Sequence, residues 1–362
     1  RVGATAEFLP LLQRCLSSKG VHVIDVPFEY DSTSDQIKVP HLETKMEEAQ
    51  DQKPQAQPEH DQPKLSEQAP SKTLEIPQTV VCNPFTRAVI DKIPQHQDGD
   101  VESALAKAHA LYVDQQKWLL PHQRIAILER LASLMQDKRA ELIDTAVAEG
   151  GKPHKDSEIE FERAVQGVKL GITAIQTMHG EEVPMGLTAA STGRIAFTTR
   201  EPIGVVVSLS AFNHPLNLIV HQVVPAIAAG CPVIVKPAAA TPLTCKAFVQ
   251  LLHQAGLPQD WCQMLLVSNA LAEKLACDPR VGYLSFIGSG RVGWYLRSKL
   301  APGTRCALEH GGVAPVIVDE TVDLDAVVAP IVKGAFYHAG QVCVSAKRLY
   351  APRSVAVELA LK

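Results

Sequence analysis

One cysteine stands in a sequence context that could expose its thiol for chemistry. Cys343 lies in HAGQVCVSAKR (338–348), after a Gly-Gln-Val turn and shortly before the basic pair Lys347-Arg348. A thiolate is a strong nucleophile toward a carbonyl carbon near neutral pH. No base adjoins it in the sequence, and unpaired cysteines are often small core residues. From the residues alone, Cys343 is therefore either a nucleophile or a core side chain.

Other residues that could do chemistry stand directly after short apolar runs. They are Asn213 in AFNHP, Lys236 at the end of PVIVK, Gly288, Ser289, Gly290 and Gly293 in FIGSGRVG, and Glu309 in LEHGG. Asn213 could donate to an oxyanion or cap a turn. Lys236 could bind ribose hydroxyls or a phosphate, or lie in solvent. The glycine turn could face a pyrophosphate or simply join a strand to a helix. Glu309 could be a general base or a solvated charge.

The apolar runs themselves predict a parallel β-sheet. From Ile203 to Leu308 the runs IGVVVSLS, PVIVK, MLLV, YLSF and RCAL alternate with helical stretches at 215–229, 243–255, 270–276 and 292–300. Near-continuous apolar strands joined by helices indicate a Rossmann-like α/β sheet with helices on both faces. Ligands of such sheets bind beyond the carboxyl ends of the strands. We therefore expect the residues named above to meet at that edge.

The segment before this sheet predicts a strand pair and a group of helices. A turn at Asn83-Pro84 separates the two strands, and helices follow at 100–111, with Asp100 as cap, and at 122–136, 139–149 and 157–178. A hairpin region spans 183–199. These elements and the sheet belong to one predicted fold that starts near Leu74.

The first 72 residues have a different character. A helix from Ala6 to Leu16 and a strand VHVIDV leave 1–42 unassigned, as an extension or the tail of a preceding α/β domain. Residues 43–72 are rich in Gln, Glu, Pro and Lys and contain no aromatic residue. Such a composition cannot bury enough apolar surface to offset the entropy of ordering, so it predicts a disordered linker.

Composition excludes several classes of function. The eight cysteines form no C-x-x-C pair and no secretory signal precedes them, which indicates reduced thiols in a cytoplasmic protein without a predicted metal site. The net charge of -4 without a basic stripe argues against nucleic acid as a partner. The most apolar stretch, from Leu216, is interrupted by His221, Pro225 and Gly230, so no membrane span is predicted.

The order of the candidate residues resembles that of a known family. Asn, Lys, the Gly-Ser turn, Glu-x-Gly-Gly and Gly-Gln-x-Cys, from Asn213 to Cys343, resemble the aldehyde dehydrogenase superfamily, in its NAD(P)-dependent hydrolytic branch. The resemblance runs from about Leu74 to the C-terminus. It implies that 73–308 is an NAD(P)-binding domain, with the helices and hairpin at its start, and that 309–362 begins a second α/β domain, the catalytic domain, which is incomplete.

The resemblance also implies a role for each residue. Cys343 is similar to the catalytic nucleophile, Glu309 to the general base and Asn213 to the oxyanion donor. The implied cofactor-binding residues are Lys236, Gly288, Ser289, Ala211, Phe212 and Pro237. The implied reaction oxidises a small aldehyde to a carboxylic acid through a thiohemiacetal and a thioester on cysteine, with NAD or NADP as cofactor. A full-length relative is expected to form a homo-oligomer.

Three departures from the family pattern bear on these expectations. Ala239 stands three residues after Lys236, where NAD-preferring relatives carry a glutamate, so NADP becomes admissible. His310 replaces the usual leucine, and we assign it no mechanistic role. The sequence stops at Lys362, 19 residues after Cys343 (362 − 343 = 19), so we expect a C-terminally truncated chain of low activity that is either a fragment of a longer polypeptide or a truncated relative. The alternative function is a catalytically inactive nucleotide-binding or assembly module.

Overall fold

An antiparallel strand pair comes first in the computed structural model, which describes residues 76–362. Strands β1 (Gln78–Cys82) and β2 (Val89–Pro94) pair around a turn in which Asn83 Oδ1 accepts hydrogen bonds from Phe85 N and Thr86 N, at 3.0 and 2.9 Å. This confirms the predicted strands and turn. The predictions for 1–42 and for the linker at 43–72 lie outside the described residues.

Four helices follow, close to their predicted positions. They are α1 (Asp98–Val113), α2 (Pro121–Asp137), α3 (Arg139–Gly150) and α4 (His154–Thr177). The prediction that Asp100 caps α1 was wrong, because the cap residue is Gln97. Asp100 is the third helical residue, and its Oδ2 accepts a hydrogen bond from Gln97 N at 2.7 Å. A short antiparallel hairpin, β3 (Glu182–Val183) and β4 (Ala196–Phe197), then leads to the main sheet.

The main sheet has five parallel strands. Strands β5 (Val205–Leu209), β6 (Val233–Lys236), β7 (Cys262–Met264), β8 (Val281–Gly288) and β9 (Arg305–His310) lie in the order β7-β6-β5-β8-β9. The helices between them are α5 (Asn217–Ala228), α6 (Pro242–Gln254), α7 (Asn269–Ala276) and α8 (Gly290–Lys299). All four strand pairings are parallel, which confirms the predicted Rossmann-like fold class.

Strand β7 lies two residues before its predicted position at MLLV (264–267). The last hydrogen bond to β6 is from Leu265 N to Val235 O at 2.9 Å. Leu266 instead pairs with His96, since its N donates to His96 Nδ1 at 3.0 Å and its O accepts from His96 N at 2.8 Å. Residues 265–267 are buried, but Leu266 pairs with the segment before α1 and does not extend the strand.

Alternate residues of the central strands enter two separate cores, one on each face of the sheet. Val206 and Val233 pack with helices α2, α4, α5 and α6. Val205, Val207 and Ile234 pack with α1, α7 and α8. Helices therefore cover both faces, and only the two ends of the sheet are left for a site.

A second, smaller α/β unit follows the main sheet. Strands β10 (Pro315–Ile317) and β11 (Arg348–Tyr350) pair in parallel, with helix α9 (Leu324–Phe336) between them and α10 (Arg353–Leu361) after them. Cys343 lies in the loop between α9 and β11. Within residues 76–362, no helix is long and apolar enough to cross a membrane.

Candidate active site

The carboxyl ends of four adjacent strands carry predicted site residues. Lys236 is the last residue of β6 and pairs in register with Leu209, at the end of β5. Gly288 ends β8 and pairs with His310 of β9. Glu309 was predicted to follow a strand, but β9 continues through His310, so Glu309 is its penultimate residue. Since the strands are parallel and adjacent, these residues lie along one edge, as predicted.

The thiol loop meets this edge through Asn213. Asn213 Nδ2 donates to the backbone carbonyl of Gln341 at 2.7 Å, two residues before Cys343. A primary amide carries two N–H groups, so one remains for another acceptor. The side chain that follows β5 is thus brought to the loop that carries Cys343, although the two are 130 residues apart in the sequence (343 − 213 = 130).

Cys343 itself is exposed. In contrast, Cys231, Cys245 and Cys262 are buried, and burial raises the pKa of Cys262 to about 12. A thiol in such surroundings is inert as a nucleophile. Among residues 76–362, Cys343 is therefore not a core side chain, and its role as nucleophile stays a prediction.

The segment after Glu309 passes against the thiol loop. A β-carbon built on Gly312 would lie 3.2 Å from Cys343 O, a distance that few real β-carbons show. Lys347 fixes the same approach, since its Nζ donates to Gly312 O at 3.0 Å and its N donates to Val313 O at 3.1 Å. Glycine at 312 therefore permits close contact between the chain leaving β9 and the cysteine loop. Glu309 is exposed, so water can reach its carboxylate.

The loops after β5 and β6 are joined to each other. Ser210 N donates to Lys236 O at 3.0 Å, and Thr241 Oγ1 donates to Phe212 O at 3.5 Å. Lys236 is half-buried, and burial alone lowers the pKa of its ammonium, with no charged neighbour contributing. Ala211 and Phe212 are half-buried and Pro237 is buried. These residues lie next to the Lys236 ammonium at the carboxyl ends of β5 and β6.

The turn from β8 to α8 consists of residues with a small side chain or none. Gly288 was predicted to open the helix, but it ends the strand, and a β-carbon there would lie 2.6 Å from Phe286 Cζ. Ser289 is the helix cap, and its Oγ accepts from Val292 N at 3.4 Å. The first helical residue, Gly290, has no side chain. Backbone N–H groups at such a helix start can bind a pyrophosphate, so these residues fit a dinucleotide.

His310 lies beneath this turn. Its ring packs edge-on against Phe286 and Trp294, with centroid distances of 6.2 and 5.5 Å, and contacts Gly293. Its buried Nε2 has no hydrogen-bond partner among the described residues. His310 is thus a packing residue between β9 and α8. No cluster of three or more metal-ligating side chains occurs within 76–362.

Two buried glutamates that the sequence analysis missed hold the starts of α5 and α6. Glu160 Oε1 accepts from Leu216 N and Asn217 N, both at 2.9 Å. Glu149 accepts from Leu243 N at 2.7 Å and from Thr244 N at 2.8 Å. Each glutamate therefore caps a helix that begins directly after one of the site loops. Helical periodicity is the sequence signal that could have identified Glu160 as buried, because Glu160 falls on the apolar stripe of α4 beside Phe161 and Ala164.

Glu160 also has a buried counter-ion. Lys152 Nζ lies 2.8 Å from Glu160 Oε2, and each side chain is 1% exposed. Burial lowers the pKa of Lys152, while the charge and hydrogen bond of Glu160 oppose that shift. The ammonium also lies 5.8 Å from the ring centroid of Tyr337.

Two buried histidines complete this group. His214 lies 6.4 Å from the Tyr337 ring and 6.2 Å from the His338 ring, measured between centroids. Burial lowers the pKa of His214 to about 3 and that of His338 to about 4, and the positive charge of Lys152 acts in the same direction on both. Both imidazoles are therefore neutral near pH 7.

Comparison with known proteins gives a consistent family. Residues 72–362 match the sequence profile described as "Aldehyde dehydrogenase family". A 3-sulfolactaldehyde dehydrogenase of Priestia aryabhattai is 34% identical over 271 residues, which is 75% of this chain and 56% of that protein. Aldehyde dehydrogenase 21 of Physcomitrella patens, solved with the reaction product succinate, is similar with a TM-score of 0.74 and 32% identity, over 80% of this chain and 60% of that one.

A third similar protein was solved with a nucleotide. The glyceraldehyde-3-phosphate dehydrogenase GapN of Methanocaldococcus jannaschii, complexed with NADP, gives a TM-score of 0.73 at 31% identity, over 78% of this chain and 61% of that one. In each of these three comparisons the matched region spans less than two thirds of the relative's own length.

Proposed function

Because the chain belongs to the aldehyde dehydrogenase family, we propose that it oxidises an aldehyde to a carboxylic acid with NAD(P)⁺ and that Cys343 carries the acyl group. The observation that carries the proposal is the 2.7 Å hydrogen bond from Asn213 Nδ2 to Gln341 O. It brings an amide donor from the strand edge to the loop of the one exposed thiol among residues 76–362.

The first step is attack by the Cys343 thiolate on the aldehyde carbon. A C–S bond forms, and the carbonyl oxygen takes the negative charge. The second N–H of Asn213 and the backbone N–H of Cys343 donate to that oxygen. One donor of this kind stabilises the transition state by about 3 kcal/mol.

A nicotinamide held at this edge would supply the hydride acceptor. The C–H bond of the adduct would break as its oxyanion re-forms the carbonyl, which leaves a thioester on Cys343. Glu309 then accepts a proton from a water molecule that attacks the thioester. The C–S bond breaks, the carboxylic acid forms and the thiolate returns. The exposed position of Glu309 supports this role, because water must reach the carboxylate.

The strand edge supports either nicotinamide cofactor, with Lys236, Ala211, Phe212 and Pro237 at one side and the turn at Gly288-Ser289 at the other. Lys236 offers an ammonium for ribose hydroxyls or a phosphate, and the start of α8 offers N–H groups for the pyrophosphate. Ala239 is exposed and carries no carboxylate that would repel a 2′-phosphate. Together with the relative solved with NADP, this favours NADP.

The substrate we propose is a small polar aldehyde. Relatives are named for 3-sulfolactaldehyde, lactaldehyde and succinate semialdehyde, which are small molecules with polar or anionic groups. These three compounds are therefore the first to test.

The experiment compares the protein with its Cys343→Ser and Cys277→Ser variants. Each is mixed with NADP⁺ or NAD⁺ and one of the three aldehydes, the reduced nicotinamide is measured, and the acylated residue is identified by mass spectrometry. We expect reduction and an acyl adduct on residue 343 in the parent and in Cys277→Ser, and neither in Cys343→Ser. Retained turnover in Cys343→Ser would contradict the role of the thiol. Cofactor binding without any acyl adduct would favour the inactive nucleotide-binding module.

A further inference from the structure

The buried pair Lys152–Glu160 stands out because charges are costly to bury. The Nζ–Oε2 distance is 2.8 Å, and only 1% of each side chain is exposed. Desolvation of two such ions can exceed their attraction, so a buried pair is weak evidence for stability alone. Its value can instead lie in fixing one geometry, which directs attention to what the two ions contact.

Glu160 fixes the start of helix α5. Its Oε1 accepts from both Leu216 N and Asn217 N at 2.9 Å, while Oε2 is bound by Lys152. The capped backbone begins three residues after Asn213. The position of the Asn213 side chain is therefore tied to a glutamate on α4, a helix that packs with α5 on the same face of the sheet.

Lys152 contacts the turn that leads to the Cys343 loop. Its ammonium lies 5.8 Å from the ring centroid of Tyr337, within the range of a cation–π interaction. Tyr337 begins the short 3-10 turn Tyr337–Gly340, which leads directly to Gln341. In this turn His338 and Ala339 have φ of 49° and 55°, in the left-handed region that non-glycine residues seldom adopt. Such backbone persists only where its surroundings hold it.

The loop that carries Asn213 and the turn Tyr337–Gly340 also touch each other. The His214 ring, next to Asn213, lies against the rings of Tyr337 and His338. Lys152 and Glu160 thus sit at the base of a contiguous group that ends in the hydrogen bond from Asn213 to Gln341.

We propose that Lys152 and Glu160 are positioning residues that set the geometry between Asn213 and the Cys343 loop. The proposal rests on the proposed function, since it assigns the pair to the oxyanion site of that reaction. It differs from a purely structural role in that loss of the pair should impair chemistry that needs an oxyanion donor more than chemistry that needs only the thiol.

Two reagents separate these chemistries at Cys343. With 4-nitrophenyl acetate, sulfur attacks the ester carbon, a C–S bond forms, the ester C–O bond breaks and nitrophenolate leaves, so the carbonyl oxygen must be stabilised. With iodoacetamide, sulfur displaces iodide from a saturated carbon and no oxyanion forms. Both rates are measured at residue 343 by mass spectrometry, without cofactor.

The variant is Lys152→Met, and the matched control is Lys138→Met. Lys138 also lies 2.8 Å from a glutamate, Glu141, but that pair is exposed on the surface. We expect Lys152→Met to slow acylation about tenfold, because misplacement of a catalytic group by about 1 Å has effects of this size or larger. Alkylation should change less than about twofold, as should both rates in Lys138→Met.

Combination with Asn213→Ala tests whether the effect passes through Asn213. In that background, Lys152→Met should slow acylation less than about twofold, because coupled residues are not additive. The proposal is overturned if Lys152→Met lowers the acylation and alkylation rates equally. It is also overturned if the effects of Lys152→Met and Asn213→Ala on the acylation rate multiply.

A second variant and a second measurement keep the test independent of folding and of the proposed reaction. The charge-balanced variant Lys152→Met/Glu160→Gln keeps an amide oxygen for α5 and should show the same selective loss of acylation. Hydrogen exchange of the amides at 337–343 should be faster in both Lys152 variants than in Lys138→Met. If the parent is not acylated at Cys343, the proposed function fails, and exchange alone decides whether the pair holds the turn.

Discussion

Gly293 of α8 lies against the imidazole of His310, so that a β-carbon on residue 293 would overlap the histidine Nε2. The contact sets how closely α8 packs on the end of β9, next to Glu309. Sequence alone marked Gly293 as part of a glycine-rich turn, but the structure gives it a second requirement, which is room for a ring from the neighbouring strand.

Gly293→Ala should therefore destabilise the protein through this clash. We expect the free energy of unfolding to fall by about 1–3 kcal/mol, the usual effect of overpacking. Adding His310→Ala should recover most of the loss, because it removes the overlapping ring. Denaturant unfolding measures both. Gly99→Ala on α1, where no atom lies within 4 Å of the added carbon, is the control. An unchanged free energy of unfolding in Gly293→Ala would contradict close packing of residue 293 on the His310 ring.

Glu309→Gln should separate the two halves of the proposed reaction. The variant keeps the nucleophile and the amide donor but lacks the base for thioester hydrolysis. We expect one rapid burst of reduced cofactor, then a steady rate lower by roughly 10²–10⁴-fold. Rapid-mixing absorbance measures the burst, and mass spectrometry detects the acyl group on Cys343. Glu320→Gln, at another exposed carboxylate, should behave like the parent. Steady turnover without a burst would exclude Glu309 as the base.

Ala239→Glu should shift cofactor preference toward NAD. A carboxylate three residues after Lys236 would accept hydrogen bonds from ribose hydroxyls and repel a 2′-phosphate. We expect the ratio of the NADP and NAD dissociation constants to change by about tenfold, or ~1.4 kcal/mol. Titration calorimetry with both nucleotides measures the ratio. Ala240→Glu places the same charge one exposed position further along. An equal shift in that control would mean that general charge, rather than position 239, sets the preference.

The buried histidines predict acid sensitivity. The pKa values of His214 and His338 in the fold are about 3 and 4, below the ordinary value of 6.5. The unfolded chain therefore binds protons at a higher pH than the folded chain. Their stabilising effect is complete above pH 6.5 and is lost as pH falls toward 4, at about 1.4 kcal/mol per pH unit for each histidine.

Glu149 acts in the opposite direction over part of this range. Burial raises its pKa to about 7, against its hydrogen bonds with Thr244 and Leu243, so the fold favours the protonated acid. Stability from this group grows as pH falls from 7 to the ordinary value of 4.5. It offsets one of the two histidines there, and we expect a net loss of about 1.4 kcal/mol per unit between pH 6 and 4.5.

Denaturant unfolding across pH measures this slope. His338→Asn removes one buried imidazole at a left-handed position that asparagine tolerates, so the loss between pH 6 and 4.5 should nearly vanish. His122→Asn, at an exposed site, should leave the slope unchanged. A parent protein whose stability rises on acidification through this range would contradict the assignment.

The sheet and its functional edge could be predicted because both are written in local patterns. Apolar runs of strand length, such as the one that contains Val205 and Val207, leave few alternatives, and polar residues directly after them must emerge at the edge. The strand at MLLV was misplaced because periodicity cannot report that Leu266 pairs with His96. Asp100 was misassigned because its local sequence offers several polar cap residues, and only the backbone selects Gln97.

The support beneath the site could not be predicted in the same way. Lys152 lies in the short connection between α3 and α4, and although Glu160 falls on the apolar stripe of α4, no local pattern shows that the two side chains pair. The contact between Asn213 and Gln341 joins residues 128 positions apart, and no local pattern encodes such a pairing. The loop sequences thus indicated which residues could react, whereas the positions of those residues depend on helices that are distant in the sequence.

The caps supplied by Glu149 and Glu160 make the sheet and the preceding helices inseparable as an engineering unit. A designer who moved only β5 to β9, with their own crossovers, onto another scaffold would leave the starts of α5 and α6 without the carboxylates that bind them. The loops with Asn213 and Lys236 would lose their anchors, although every predicted cofactor residue had been transferred. Recombination within this family should therefore fail at breakpoints between α4 and β5 unless both glutamates are retained in register.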